Sequence, residues 1–190
     1  MTSALISYLR LFRSVTDAEG ATIASYFEPK YFKEGDFLFE GHKACNEMFF
    51  VNSGVLRIVA VNDKGIELTH YFYKESQFCT ILPSFIDGSS VEAGIRAACD
   101  AEVLAITRNR VLQLYAELPY MKEVIDEINR QRLLEKVYMR NRYIGEDAET
   151  QYKLFVMQQP DIALRVPLKD IASFLGITPQ SLSRIRRNMR

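Results

Sequence analysis

The chain has 190 residues, 48% of them hydrophobic, and its 24 basic and 24 acidic side chains leave a formal net charge of zero. That is ample apolar material for one large folded unit or two small ones, while the balanced total, taken alone, argues against a nucleic-acid binder. Three widely spaced cysteines (Cys45, Cys79, Cys99) without a CxxC pair or a Cys/His cluster argue against a zinc or iron–sulfur site and suit the reduced thiols of a cytoplasmic protein. No apolar run reaches the length of a membrane span, and the first residues lack the charged-then-apolar order of a secretion signal.

Residues 4–12 (ALISYLRLF) are apolar at helical spacing and predict a short helix. Thr16 is an N-cap for a second one, with Asp17 and Glu19 in its first turn, running to about Phe27 ahead of Pro29. From Tyr31 the period changes. Segments become short, aromatic and β-branched, with Gly35, Gly41, Gly54 and Gly65 at the joints. Asp63-Lys64-Gly65 reads as a hairpin turn between VLRIVAV and IELTHYFY, with Leu56, Ile58 and Ala60 on one face and Arg57, Val59 and Val61 on the other. Residues 93–97 and 103–107 read as further strands. The spacing predicts an antiparallel β-roll or jelly roll, and Phe72, Tyr73, Phe78 and Phe85 suffice to fill its interior.

Helical signals return at Thr107, a second N-cap. They predict a helix over Arg108–Glu117 and a long one over Tyr120–Tyr143 with no interior Gly or Pro. Met121, Val124, Ile125, Ile128, Leu133, Leu134, Val137 and Tyr138 make a stripe wider than one surface needs. We read it as a dimer helix, packing wholly within one chain being the alternative. Gly145 ends it, and Glu146-Asp147 starts a helix over Ala148–Gln158 that Pro160 stops.

Residues 166–187, VPLKDIASFLGITPQSLSRIRR, read as two short helices joined by a tight turn. Leu168, Ile171, Ala172 and Leu175 share one face, Gly176 ends the first helix, Thr178 caps the second with Pro179 at its first position, and Leu182 and Ile185 face back. This is a helix-turn-helix, whose second helix enters the DNA major groove. Residues 165–190 hold six basic residues against one acidic, a net +5, which leaves about −5 for residues 1–164. A basic tail on an acidic body suits a protein that touches phosphates at one end. The expected class is therefore α+β: residues 1–118 a β-roll with flanking helices, 119–144 a dimerisation helix, and 145–190 a helix-turn-helix unit.

With the glycine frame EGDFLFEG…MFFVNSGVLRI followed by IASFLGITPQSLSRIRR, the chain resembles the Crp/Fnr family of bacterial transcription regulators, and its C-terminal quarter is similar to a Bacteroidetes-type subgroup. The resemblance implies a cyclic-nucleotide-binding-like roll and a homodimer on two-fold symmetric double-stranded DNA, working with RNA polymerase. It places Pro179, Gln180, Ser183 and Arg184 at base edges, with Gln180 suited to adenine and Arg184 to guanine. Lys169, Thr178, Ser181, Arg186 and Arg187 fall to phosphates. Members that bind cyclic AMP carry Gly-Glu-Leu and then Arg-Ser or Arg-Thr. Here those stretches read Phe78-Cys79-Thr80-Ile81-Leu82 and Val91-Glu92-Ala93, so the usual nucleotide contacts are not expected. Thr80, Glu92 and Arg96 are the candidates for lining an effector pocket in their place. His42 and His70 come without a second ligand or haem motif, so neither metal nor cofactor is expected. With the given sequence stopping at Arg190, the family's C-terminal β-wing is not expected, and affinity is expected to come from the helices and from dimer avidity. A small-molecule sensor or protein-interaction scaffold is the other reading. No nucleophile–base pair, metal cluster or phosphate loop supports an enzyme.

Overall fold

The computed structural model describes residues 2–189. In chain order the elements are α1 (Thr2–Leu9), α2 (Asp17–Ser25), β1 (Glu28–Phe32), β2 (Phe37–Phe39), β3 (Lys43–Ala44), β4 (Glu47–Ser53), β5 (Leu56–Val61), β6 (Glu67–Tyr73), β7 (Phe78–Cys79), α3 (Leu82–Asp87), β8 (Ser90–Val91), β9 (Gly94–Ala97) and β10 (Ala101–Thr107). Helices then follow without interruption: α4 (Arg108–Glu117), α5 (Tyr120–Tyr143), α6 (Ala148–Gln158), α7 (Pro160–Arg165), α8 (Leu168–Phe174) and α9 (Pro179–Asn188). The molecule is α+β, with an N-terminal antiparallel β-roll and C-terminal helices.

Local chemistry sets most boundaries. Thr16 and Glu19 form a reciprocal capping box at the start of α2. The Thr107 hydroxyl accepts from Arg110 N–H, and the Asp147 carboxylate from Thr150 N–H. Asn62 Oδ1 accepts from the backbone of Lys64 and Ile66, closing the β5–β6 hairpin. At the β4–β5 turn Gly54 has φ +93°, and a Cβ there would meet Asp100 O at 2.4 Å, so only glycine fits.

Two four-stranded sheets, ordered β1-β10-β4-β7 and β2-β9-β5-β6, face one another, with β3 and β8 pairing separately. Phe39, Phe49, Val51, Leu56, Tyr73, Ile95 and Val103, all nearly inaccessible, fill the space between them. The outer face of the first sheet (Met48, Phe50, Leu104, Ile106) packs under α1, α2, α4 and the first half of α5. Strand β4 is thus buried on both faces, which its uninterrupted MFFV reflects. A third cluster joins Val55, Phe72 and Ala98 of the roll to Tyr152, Phe155, Ile162, Ile171, Ala172 and Leu182 of the C-terminal helices.

The structure corrects several expectations. Only Tyr73 of the four aromatics assigned to the roll interior lies between the sheets. Phe78 and Phe85 join the helical layer, and Phe72 stacks on Phe155 and Phe174 of the C-terminal helices. Pro160 does not merely stop α6. It is the first residue of α7, where its missing N–H costs nothing. The outward face of β5 is not open, since Arg57 on it is buried, and the β5–β6 ladder carries a bulge in β6: Ile58 pairs with Tyr71 and Val59 with Thr69, which leaves His70 as the extra residue.

Candidate nucleic-acid interface

Helix α8 ends at Phe174 with Leu175 as its C-cap, and Gly176 takes φ +68°, with Ile177 N–H bonding back to Ala172 O. Thr178 then caps α9: its hydroxyl accepts from Ser181 N–H at 3.1 Å and lies 2.9 Å from Ser181 Oγ. Leu182 is fully buried against Ile171, Ala172 and Phe155, and Ile185 packs beside it. That anchoring decides which residues of α9 face outward. Pro179, Gln180, Ser183 and Arg184 are all exposed, as are Ser181, Arg186 and Arg187. Thr178 and Ser181 sit at the helix start, where backbone N–H groups and hydroxyls suit an anion.

Not every basic residue of the tail is free. Arg165 makes a paired contact with Glu75, at 2.6 and 3.0 Å. Among the described residues, Lys169, Arg184, Arg186 and Arg187 enter no ion pair, and they form the available positive surface.

Helix α8 is docked on β6. Ser173 Oγ accepts from Thr69 N–H at 2.9 Å and donates to Glu67 O at 3.3 Å. Beneath it, Arg57 Nη2 donates to Glu67 at 2.5 Å, Nη1 to Thr69 at 3.0 Å, and Nε lies 3.4 Å from Asp170. Arg57 is 5% exposed and Asp170 6%. Burial pushes the Asp170 carboxyl up despite the Arg57 charge beside it. The sequence placed Arg57 only as one face of a strand, and Asp170 only as an acid in a basic tail. Their pairing spans 113 positions and left no local signal.

The three residues proposed to line an effector pocket do not meet. Thr80 is buried within the roll, donating to Glu47 O at 2.9 Å and lying 3.6 Å from Cys45 Sγ. Glu92 is exposed beyond β8. Arg96 is held on the outer face of the second sheet: it pairs with Glu67 at 2.9 Å, donates to Gly35 O, and stacks over Phe37. With the inter-sheet space filled by large side chains, the expectation of one pocket shared by these residues is withdrawn.

The long helix divides in two. Met121, Val124, Ile125 and Ile128 are buried against the chain's own first sheet and terminal helices, so their assignment to a dimer face is corrected. Leu133, Leu134, Val137 and Tyr138 are exposed by 44–68% and continue as an apolar stripe toward Ile144.

No candidate metal cluster of three or more His, Cys, Asp or Glu occurs among the described residues, and no helix there is long and apolar enough to cross a membrane. Residues 29–117 match the cyclic nucleotide-binding domain family model. Comparison with curated proteins gives no match. Among solved structures, a protein of Eubacterium rectale described as a transcriptional regulator of the Crp/Fnr family is 18% identical, with a TM-score of 0.70 over 96% of this chain and 87% of that one. FixK2 of Bradyrhizobium japonicum is 14% identical, with a TM-score of 0.70 over 86% and 84%. The c-di-GMP-responsive global regulator CLP of Xanthomonas campestris is 18% identical, with a TM-score of 0.68 over 89% of each chain. The chain thus joins a segment matching the cyclic nucleotide-binding domain to the overall fold of Crp/Fnr-type transcription regulators.

Proposed function

We propose that this protein is a cytoplasmic, sequence-specific, DNA-binding transcription regulator that acts as a homodimer and is not an enzyme. The division of labour follows the chain: residues 1–118 support and sense, the exposed second half of 119–144, with Leu134, Val137 and Tyr138, pairs two copies, and 145–190 read DNA. The observation that carries the reading is the outward face of α9, where Pro179, Gln180, Ser183 and Arg184 stand exposed beside Arg186 and Arg187, which have no ion pair among the described residues, on a helix fixed by buried Leu182. Gln180 can offer its amide to an adenine edge and Arg184 its guanidinium to guanine. Lys169, Thr178, Ser181, Arg186 and Arg187 serve the phosphate backbone. RNA polymerase is the partner through which a bound dimer acts. Cyclic nucleotide binding in the usual manner is no part of the reading: Val91 stands where the resemblance puts the phosphate-neutralising arginine, Glu92 adds a negative charge beside it, and the roll is packed.

Selection of binding sites from random duplex DNA, followed by titration at several salt concentrations, tests this. A two-fold symmetric site bound with a steep salt slope supports it. Arg184→Ala should cost about 1–3 kcal/mol and relax preference at one position, whereas Arg187→Ala should weaken all sequences alike. No binding to any duplex at low salt would leave a sensor or scaffold whose helix-turn-helix contacts protein instead.

A further inference from the structure

A second feature lies away from α9. A cleft of about 580 Å³ opens where β6, the second half of α5, α6 and the end of α8 converge. Tyr71 and Phe174 give it flat aromatic walls, and His70, Lys136 and Arg140 give it nitrogen donors. No Asp or Glu lines it. The nearby Glu135 is taken up by Arg132, at 2.6 Å.

Lys136 is the unusual member. Its ammonium donates to Tyr73 Oη at 2.6 Å and lies 4.8 and 4.9 Å from the ring centroids of Tyr71 and Tyr73, with no carboxylate partner among the described residues. Half-burial lowers its pKa from the usual lysine range. Arg140, one turn on, also has no ion pair among the described residues. A cation held in a partly dry site without a counter-charge is a standing electrostatic deficit, which an anion seated in the cleft would satisfy.

We propose that this cleft binds a small organic anion: a carboxylate or phosphate head on a flat aromatic body, the head held by Lys136 and Arg140 and the body between Tyr71 and Phe174. None of residues 78–82 or 91–93, the stretches that the resemblance aligns with nucleotide contacts, lines it. An occupant touches the roll, the long helix and the helix-turn-helix at once. The inference does not rest on DNA binding, since ligand binding is read without DNA.

The full chain is titrated calorimetrically with 2-naphthoate, 1-naphthyl phosphate and adenosine 5′-monophosphate, with 2-naphthamide as the neutral control. At least one anion should bind at about 0.1 mM or tighter, and the amide at least roughly tenfold more weakly, because the head group carries the charge-assisted contacts. Comparing the first two anions tells carboxylate from phosphate. Lys136→Met keeps the stem over the tyrosines and should weaken the anion about tenfold. Arg140→Gln, at an exposed position, gives the same test if Lys136→Met does not fold. The proposal is overturned if no anion binds below about 1 mM, if the amide binds as well, or if both variants bind like the parent.

Discussion

Removing the Glu67 charge should do far more harm than removing that of Asp170, although both carboxylates flank the same buried arginine. Glu67 divides its oxygens between two guanidiniums, Arg57 at 2.5 Å and Arg96 at 2.9 Å. Glu67→Gln keeps one amide oxygen as an acceptor but removes the negative charge, leaving the buried Arg57 with the longer 3.4 Å contact to Asp170 as its remaining charge partner. An isolated buried charge costs about 3–5 kcal/mol, but Asp170 compensates in part and Arg96 is open enough to find water, so about 2–3 kcal/mol is expected. For a chain of this size that is a drop in Tm of roughly 5–10 °C. Asp170→Asn behaves differently. The carboxylate loses so much hydration that its pKa rises even beside Arg57. Neutralising it relieves that cost while Glu67 still holds Arg57, so the net change stays within about 1 kcal/mol. The sign of the pH dependence follows. A carboxyl whose folded pKa lies above its unfolded value binds more protons when folded, so its contribution to stability falls as pH rises from the unfolded to the folded pKa. The parent should therefore gain on Asp170→Asn as pH drops through the carboxylate range. Urea unfolding followed by circular dichroism at neutral and mildly acidic pH reads both effects. Equal losses for the two variants, or a larger loss for Asp170→Asn, would refute this ranking.

Three further outcomes are expected. Leu134→Glu with Val137→Glu, both on exposed positions of α5, should leave a folded monomer in analytical ultracentrifugation and strip most of the DNA affinity, whereas an unchanged sedimentation coefficient would move the dimer contact elsewhere. Thr178→Ala removes the cap of α9 and should cost about 1 kcal/mol of stability, measurable by thermal melting, with Thr178→Ser restoring it. Phe155→Ala, at a site with no exposure, should cost about 3–5 kcal/mol and loosen the helix-turn-helix from the roll, seen as faster amide exchange across α8.

What was legible in the chain was local. Thr107, Thr178 and Gly176 act on their own neighbours through caps and a left-handed turn, so the ends of α4, α8 and α9 could be read directly. The exposure of Gln180 and Arg184 followed from their spacing around Leu182. The rest depended on distant partners. Arg57 is buried because Glu67 of β6 and Asp170 of α8 close over it, and no run of residues near Arg57 announces Asp170. Arg96 and Thr80 were paired by proximity to a motif, but strand pairing sends one toward Glu67 and the other into the roll. The apolar stripe of α5 reads the same over Met121–Ile128 and over its exposed half; only the first sheet's position separates them.

The seam formed by Val55, Phe72 and Ala98 against Phe155, Ile171 and Leu182 limits how such proteins can be recombined. A break near Gly145 looks like a natural crossover point, since it falls between helices. Yet a chimera joined there would set one parent's Phe72 against another's Phe155 and Phe174, and one parent's Arg57 against whatever replaced Asp170. Exchange of the reading helices between relatives would then need matching changes in β5 and β6, so these strands and α8 should vary together.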